Sequence, residues 1–100
     1  MKVILNFTVV PIGVGTSLSR YVAACERILS KRGLKHTLHA NGTNVEGDWD
    51  EVFSAIKECH QTLHRMGVPR IHTGIQLGTR IDREQSLEDK VQSVRDKLTQ

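Results

Sequence analysis

Hydrophobic and polar residues alternate at the start of the chain and then change to a helical spacing. Residues 2–12 alternate with a period of two, which predicts a β-strand. From Leu18 the apolar positions recur every three to four residues, which predicts an amphipathic helix with Ser17 as its N-cap and Gly33 at its end. The apolar positions of these two elements are Val3, Leu5, Phe7 and Val9, then Leu18, Val22, Cys25 and Leu29.

The dipeptide Asn41-Gly42 separates two short strand-like segments. Asn-Gly tolerates positive φ at both central positions of a type I′ turn, so residues 35–40 and 43–47 are predicted to pair as a hairpin. Gly47 is predicted to end the second strand. Asp48 is predicted to cap the helix that follows.

The rest of the chain predicts a long helix, a strand and a last helix. The long helix runs from about Trp49 to Met66, with Gly67 as its stop. Residues 69–81 form the strand, and Ser86 caps the last helix. The inward positions of these elements are Val52, Ile56, Cys59 and Leu63, then Ile71, Thr73, Ile75 and Leu77, then Leu87, Val91, Val94 and Leu98.

The predicted order is β-α-β-β-α-β with an extra C-terminal helix, over one domain of residues 1–100. Two crossover helices around a central hairpin are typical of the α+β ferredoxin-like sandwich, with both helices on one face of the sheet. The other face, called the open face below, carries no formal charge and is half apolar. We expect a ligand, another subunit or both to cover it, the alternative being an ordinary solvated face. Its residues are Ile4, Asn6, Thr8, Val10, His72, Gly74, Gln76 and Gly78, of which Asn6 and Thr8 are candidate ligand-binding residues.

Composition narrows the function classes. The formal charge of +3 is mild, and no run of Lys or Arg interleaves with aromatic residues, so nucleic acid is not an expected partner. No apolar run approaches the roughly 18 residues of a membrane span. The N-terminus has the pattern of a strand and not of a signal peptide. Cys25 and Cys59 lie on apolar helical stripes and are predicted to be buried free thiols, which favours a cytoplasmic location.

Two His residues four apart, His60 and His64, could both face one zinc ion on a helix. A zinc peptidase needs Glu where Gln61 stands, and no third ligand is near in sequence. We therefore expect no bound zinc.

The glycine-containing loop 11–17 lacks the motifs of nucleotide-binding loops. It is either a plain loop or one that contacts a ligand through Ser17 and Ser19.

No nucleophile or acid pair shows catalytic spacing. Asp48 and Asp50 suit a helix N-terminus, which leaves Glu46 as the candidate carboxylate. We expect its backbone to be rigid and its side chain to be free for a ligand, with Thr43 beside it. Arg80 and Asp82 are predicted to form a surface ion pair, with a binding site as the alternative.

The chain resembles the YkoF-like thiamine-binding family, whose fungal members include the yeast extracellular-mutant protein. The resemblance covers nearly the whole chain. Each matching segment is short, and their order and spacing make the match specific for the family. The segments are Val9-Val10-Pro11-Ile12-Gly13, Ser17-x-Ser19-x-Tyr21-Val22, Gly42-Thr43-x-Val45-Glu46-Gly47-x-x-Asp50-Glu51-Val52, Arg70-x-x-Thr73, Arg80-x-Asp82 and Lys90.

The resemblance implies a ferredoxin-like fold, dimers that associate through their sheets into homotetramers, and in some members binding of thiamine or its hydroxymethylpyrimidine moiety. The ligand residues it implies here are Ser17, Ser19, Thr43 and Glu46, and Thr73 of a matching segment joins the candidates. The chain departs from the family pattern at Asn41, where prokaryotic members tend to have Met, and at Gly78-Thr79, which replaces an acidic pair.

These observations predict a cytoplasmic, non-catalytic protein that binds thiamine or a related pyrimidine on the open face or near the hairpin, without a cofactor. Two alternatives remain at this point. One is a small enzyme on the same fold, either acylphosphatase-like or cofactor-free. The other is a purely structural oligomer. An acylphosphatase would need an Arg in the loop after the first strand, whereas Arg20 falls within the predicted helix.

Overall fold

The computed structural model describes residues 1–100 and contains four strands and three helices. Their order confirms the predicted β-α-β-β-α-β arrangement with a C-terminal helix. The elements are β1 (Lys2–Ile12), α1 (Ser19–Lys31), β2 (Lys35–His39), β3 (Gly42–Asp48), α2 (Trp49–Arg65), β4 (Arg70–Gly78) and α3 (Leu87–Leu98).

The four strands form one antiparallel sheet in the order β2-β3-β1-β4. β1 is central, and its Leu5 lies opposite Val45 on one side and Leu77 on the other. Since side chains alternate across a strand, this register puts every odd-numbered residue of β1 from Val3 to Val9 on the helix-covered face. This sheet order and the two helices on one face make the fold ferredoxin-like, as predicted.

The core lies between the sheet and the helices α1 and α2. β1 and β3 contribute its most deeply buried strand residues, Val3, Leu5, Phe7 and Val45. β4 is an edge strand, and the helices leave part of it uncovered. Ile75 and Leu77 lie on the helix-covered side of the sheet, as predicted, yet 37% and 45% of their surface is exposed.

The start of α1 differs from the prediction by one residue. The N-cap is Leu18, which makes no side-chain capping bond, and its carbonyl accepts the amide N–H groups of Tyr21 and Val22. Ser17 therefore lies outside the helix and does not cap it. A main-chain turn satisfies the first amide groups here instead of a serine hydroxyl.

The hairpin turn is shifted by one residue from the predicted position. His39 pairs with Gly42, so Ala40 and Asn41 form the two-residue loop. Neither has positive φ, so the type I′ turn predicted for Asn41-Gly42 is wrong. Glycine is needed at Gly42 for space, because a Cβ there would lie 2.8 Å from the carbonyl oxygen of Phe7.

Gly47 does not end its strand, contrary to the prediction. It pairs with Val3 inside β3, and a Cβ there would lie 3.0 Å from Leu34 and 3.2 Å from Val52. Glycine thus allows the N-terminus of α2 to pack closely on the sheet. Asp48 caps α2 as predicted, since its carboxylate accepts the amide N–H of Asp50 at 3.2 Å.

β4 ends at Gly78, three residues before the predicted end, and an extended loop leads to α3. Ser86 caps α3 as predicted, in a reciprocal capping box with Asp89. The predicted apolar stripe of α3 is present, but none of its residues is buried. Val94 and Leu98 are 60% and 77% exposed. None of the three helices has both the length and the apolar character of a membrane-spanning segment.

Candidate functional site

A cavity of about 490 Å³ lies between α1 and the β2–β3 hairpin. Apolar side chains from α1, β1 and β2 form most of its wall, and Glu26 is its only acidic residue. No Lys or Arg lines it. The lining residues are Phe7, Thr8, Val9, Ser19, Val22, Ala23, Cys25, Glu26, Leu38, His39, Ala40, Asn41, Gly42 and Thr43.

Helix periodicity places the polar groups of α1 in this cavity. Ser19 and Glu26 are seven residues apart, which is two helical turns, so they share one face of α1. Val22 and Ala23 lie between them on that face. The helix therefore offers a hydroxyl and a carboxylate separated by a small apolar surface.

The carboxylate of Glu26 is held by the neighbouring strand. The hydroxyl of Thr43 donates to Oε2 of Glu26 at 2.9 Å, and Thr43 itself is only 3% exposed. This bond orients the carboxylate and leaves Oε1 available to a ligand, because a carboxylate accepts several hydrogen bonds. Thr43, a ligand-binding candidate from the sequence, is thus hydrogen-bonded to Glu26 within the protein.

The rim of the cavity is fixed by hydrogen bonds around the hairpin loop. The hydroxyl of Thr8 donates to the carbonyl oxygen of Asn41 at 2.6 Å. Nδ1 of His39 accepts the amide N–H of Asn41 at 3.3 Å, and Nε2 of His39 lies 2.9 Å from Oδ1 of Asn6. Both ring nitrogens of His39 are therefore engaged, and the ring serves as a brace for the loop.

Glu46 differs most from the sequence-based expectation. Its side chain is only 12% exposed, and its Oε1 accepts the amide N–H of Leu87 at 2.7 Å. Lys2 and Lys35 also lie near its Oε2, at 3.5 and 3.6 Å. The expectation of a free side chain is wrong, because the carboxylate binds the first residue of α3 to the sheet.

Glu46 and Thr43 also lie on opposite faces of the sheet. They are three residues apart in β3, so their side chains alternate, with Thr43 toward α1 and Glu46 toward α3. A small ligand in the cavity therefore cannot contact both Thr43 and Glu46. The structure brings together Ser19, Thr43 and Thr8 from the sequence-based set and separates them from Glu46.

The other sequence-based candidates lie elsewhere. Asn6 lines a groove of about 730 Å³ between the open face and α3, together with Asn44 and Gln76. Ser17 is exposed and does not line the α1–hairpin cavity. Thr73 lies on the helix-covered face, where its hydroxyl is 2.6 Å from Nε2 of His60.

His60 and His64, at which we expect no zinc, both make hydrogen-bond contacts within the protein. Besides the contact of His60 with Thr73, Nδ1 of His64 donates to the carbonyl oxygen of Val68 at 2.8 Å. Burial lowers the pKa of His60, and the neighbouring His64 lowers it further. These contacts join the end of α2 to the start of β4.

Cys25 and Cys59 are free, buried thiols, as predicted. A hydrogen bond with Cys59 lowers the pKa of Cys25, whereas that bond and burial raise the pKa of Cys59. Cys25 also contributes to the wall of the cavity, although it is almost fully buried.

Arg80 and Asp82 form the predicted surface ion pair, with Nε of Arg80 at 2.7 Å from Oδ1 of Asp82. Arg80 lowers the pKa of Asp82 to about 2.

Glu26 is the main site residue that sequence reasoning missed. It is one of 11 acidic residues, and its position on the polar side of α1 is that of many solvent-exposed helix residues. The seven-residue spacing from Ser19 was present in the sequence. Without the hairpin packed beside α1, that spacing does not indicate a cavity.

The strand order, the two covering helices and the cavity beside α1 define an α+β protein of ferredoxin-like fold. The sequence profile described as "Thiamine-binding protein" matches residues 5–95. The chain therefore belongs to this family, which confirms the resemblance found from the sequence segments.

Individual relatives support the assignment along the full chain. The UPF0045 protein sll0230 of Synechocystis sp. is 56% identical over 94 residues, which cover 94% of this chain and 78% of that protein. The UPF0045 protein ECM15 of Eremothecium gossypii is 41% identical, over 99% of this chain and 95% of that protein. The crystal structure of the hypothetical protein MJ1052 of Methanocaldococcus jannaschii superposes with a TM-score of 0.88 at 34% identity, over 95% of this chain and 97% of that one.

Proposed function

We propose that this protein is a non-catalytic binding protein for thiamine or a related hydroxymethylpyrimidine, and that the ligand occupies the α1–hairpin cavity. The observation that carries the proposal is the carboxylate of Glu26, held by Thr43 in an otherwise mostly apolar cavity without cationic side chains. The family description as thiamine-binding supports the choice of ligand.

The chemistry of an aminopyrimidine fits these groups. Its exocyclic amine is a hydrogen-bond donor, which Oε1 of Glu26 accepts. The flat ring packs against Val22, Ala23 and Leu38, and the hydroxyl of Ser19 reaches a ring nitrogen or the hydroxymethyl group. Small-molecule sites commonly combine such an apolar wall with a few polar groups. The positive charge of the thiazolium ring is favoured by the lone carboxylate and by the absence of Lys and Arg.

Charge also argues against the open face as the thiamine site. The groove under α3 is lined by the cations Lys90 and Arg95, against one carboxylate, Glu88. Lys35 holds this carboxylate at 2.5 Å, and the pKa of Glu88 is lowered mainly by that bond. A cationic ligand therefore gains less attraction in the groove than in the α1–hairpin cavity.

A non-catalytic role is supported by the state of the reactive groups near the cavity. Cys25 is almost fully buried, and both ring nitrogens of His39 are engaged in hydrogen bonds. The acylphosphatase-like alternative needs a free Arg after β1. Arg20 instead stacks over the ring of Tyr21 at 4.6 Å and donates to its hydroxyl at 2.6 Å.

Calorimetric titration with thiamine tests the proposal. The Glu26→Gln variant keeps the size of the side chain and removes its charge, so affinity is expected to fall about tenfold to a hundredfold, the effect of losing a hydrogen bond to a charged group. Glu51→Gln is the matched control, because Glu51 is exposed on α2 and lines no part of the cavity. Equal affinities of the two variants would remove Glu26 from the site. No binding by the wild-type protein would reject thiamine.

We also propose that the chain works as a cytoplasmic homotetramer, a dimer of dimers. The exposed apolar residues Val94 and Leu98 of α3, and Ile75 and Leu77 of the edge strand, support subunit contacts at these surfaces. A core with few aromatic residues supports association as well. The two buried free thiols support a reducing compartment.

A further inference from the structure

A second cleft, lined mainly by charged side chains, lies where β1 begins and β4 ends. It has a volume of about 380 Å³, and Ile4 is its only hydrophobic lining residue. Four cationic side chains and two carboxylates line it. These charged residues are Lys2, Arg80, Arg83 and Lys90, with Asp82 and Glu84.

Two of the four cations are already paired inside the protein. Asp82 holds the guanidinium of Arg80, and Gln85 accepts a further hydrogen bond from it at 3.0 Å. Lys2 lies between two carboxylates, 3.5 Å from Glu46 and 3.7 Å from Glu84. These pairs fix part of the wall of the cleft and neutralise part of its charge.

The other two cations, Arg83 and Lys90, take part in none of the ion pairs of the chain. The charge of Arg83 acts on the nearby carboxylates of Asp82 and Asp89. The pKa of the Asp89 carboxyl is lowered mainly by hydrogen bonds with Ser86, and the charges of Arg83 and Lys2 lower it further. Arg83 and Lys90 are therefore two cations of the lining without an ion-pair partner, which suits an anion.

The cleft continues into the groove under α3. Ile4, Gly78 and Lys90 line both spaces. No atom lies within 4 Å of a Cβ built on Gly78, so the backbone there is open on this side. Beyond it, Asn6 and Gln76 present amide groups to the groove. An anionic group in the cleft can thus be joined to a flat polar ring in the groove.

We propose that this cleft binds the phosphate group of a small organic phosphate, whose planar ring lies over Gly78 against Asn6 and Gln76. Arg83 and Lys90 contact the phosphate oxygens, and Arg fits such oxygens with two parallel hydrogen bonds. This site is separate from the α1–hairpin cavity and takes ligands of opposite charge.

Adenosine 5′-monophosphate and adenosine are suitable probes, because they differ only in the phosphate. Binding is measured by NMR shift titration of the full chain at low salt. We expect the monophosphate to bind, adenosine to bind at least about tenfold more weakly, and the affinity for the monophosphate to fall as NaCl is raised. Adenosine binding as tightly as the monophosphate, or no shift with millimolar monophosphate, would overturn the proposal.

A double variant, Arg83→Gln with Lys90→Gln, tests the residues. Both side chains are exposed, so the fold is expected to persist, and affinity for the monophosphate is expected to fall about tenfold to a hundredfold. Lys31→Gln with Lys57→Gln is the matched control, since it removes the same charge from α1 and α2. Equal affinities of the two double variants would show that the cleft is not the site. Thiamine binding by the first double variant is expected to stay unchanged, which separates this test from that of the α1–hairpin cavity.

Discussion

Thr43 donates its hydroxyl proton to Oε2 of Glu26 across 2.9 Å, from the middle strand pair to the first helix. The two residues are 17 positions apart. The cavity exists only where α1, which carries Glu26, packs beside β3, which carries Thr43. Thr43 is nearly fully buried, whereas Glu26 is half-buried at the cavity wall. The pair therefore has a fixed inner member and an outer member that can meet a ligand.

The Thr43→Val variant tests this division of roles. Valine keeps the buried volume and removes the donor, so we expect the free energy of unfolding to fall by about 1 kcal/mol, the typical net value of one hydrogen bond. Thiamine affinity should fall about threefold to tenfold, because Glu26 is no longer oriented. Calorimetry and chemical denaturation measure the two effects. Thr37→Val, the same change on exposed β2, is the control. An unchanged affinity in Thr43→Val would show that Glu26 needs no positioning.

Glu46→Gln should affect α3 and not the proposed thiamine site in the α1–hairpin cavity. Glutamine can still accept from Leu87, but it no longer attracts Lys2 and Lys35. We expect a small loss of stability, about 1 kcal/mol or less as for partly exposed ion pairs, and faster amide hydrogen exchange in α3. Glu84→Gln is the control, because Glu84 is 93% exposed. A loss of thiamine affinity as large as that of Glu26→Gln would move the ligand to the open face.

His60 should make the protein less stable as the pH falls. Its pKa is lowered in the folded state, by burial first and by His64 second, so the unfolded chain binds more protons in this range. The stability that neutral His60 contributes is therefore fully present above the ordinary histidine pKa, about 6.5. This contribution is lost as the pH falls below that value. The His60→Gln variant should therefore lose less stability than the wild type over this pH range.

Melting temperatures between pH 8 and pH 5 measure this effect. We expect the difference between the wild type and His60→Gln to narrow toward acid pH. His72→Gln, a change on the exposed part of β4, should keep the pH profile of the wild type. If the melting temperatures of the wild type and His60→Gln fall in parallel with pH, groups other than His60 cause the loss of stability in acid.

The assembly can be tested on α3. Light scattering of the wild type should give four subunits per particle. Val94→Lys with Leu98→Lys should give smaller particles, because packing these positions against a partner would bury unpaired charges. Ser93→Lys, on another side of the same helix, should leave the tetramer intact. A wild-type monomer would contradict the proposal directly.

The sequence alone determined the elements and their order. The alternation in β1 and the helical spacing in α1 and α2 follow from which residues must be buried, and the caps Asp48 and Ser86 follow from local hydrogen bonds. Such features depend on residues a few positions apart, so the chain pattern is sufficient to predict them. The matching segments were likewise sufficient to assign the family.

The tertiary structure decided the turn and the site. Gly42 lies against β1, so that contact and the pairing with His39 set the turn one residue earlier than Asn41-Gly42 predicts. Glu46 was expected to be free, but α3 returns to it from 41 residues away through Leu87. Glu26 became a candidate only because the hairpin places Thr43 beside α1. Each of these outcomes depends on contacts between distant parts of the chain, which no local pattern specifies.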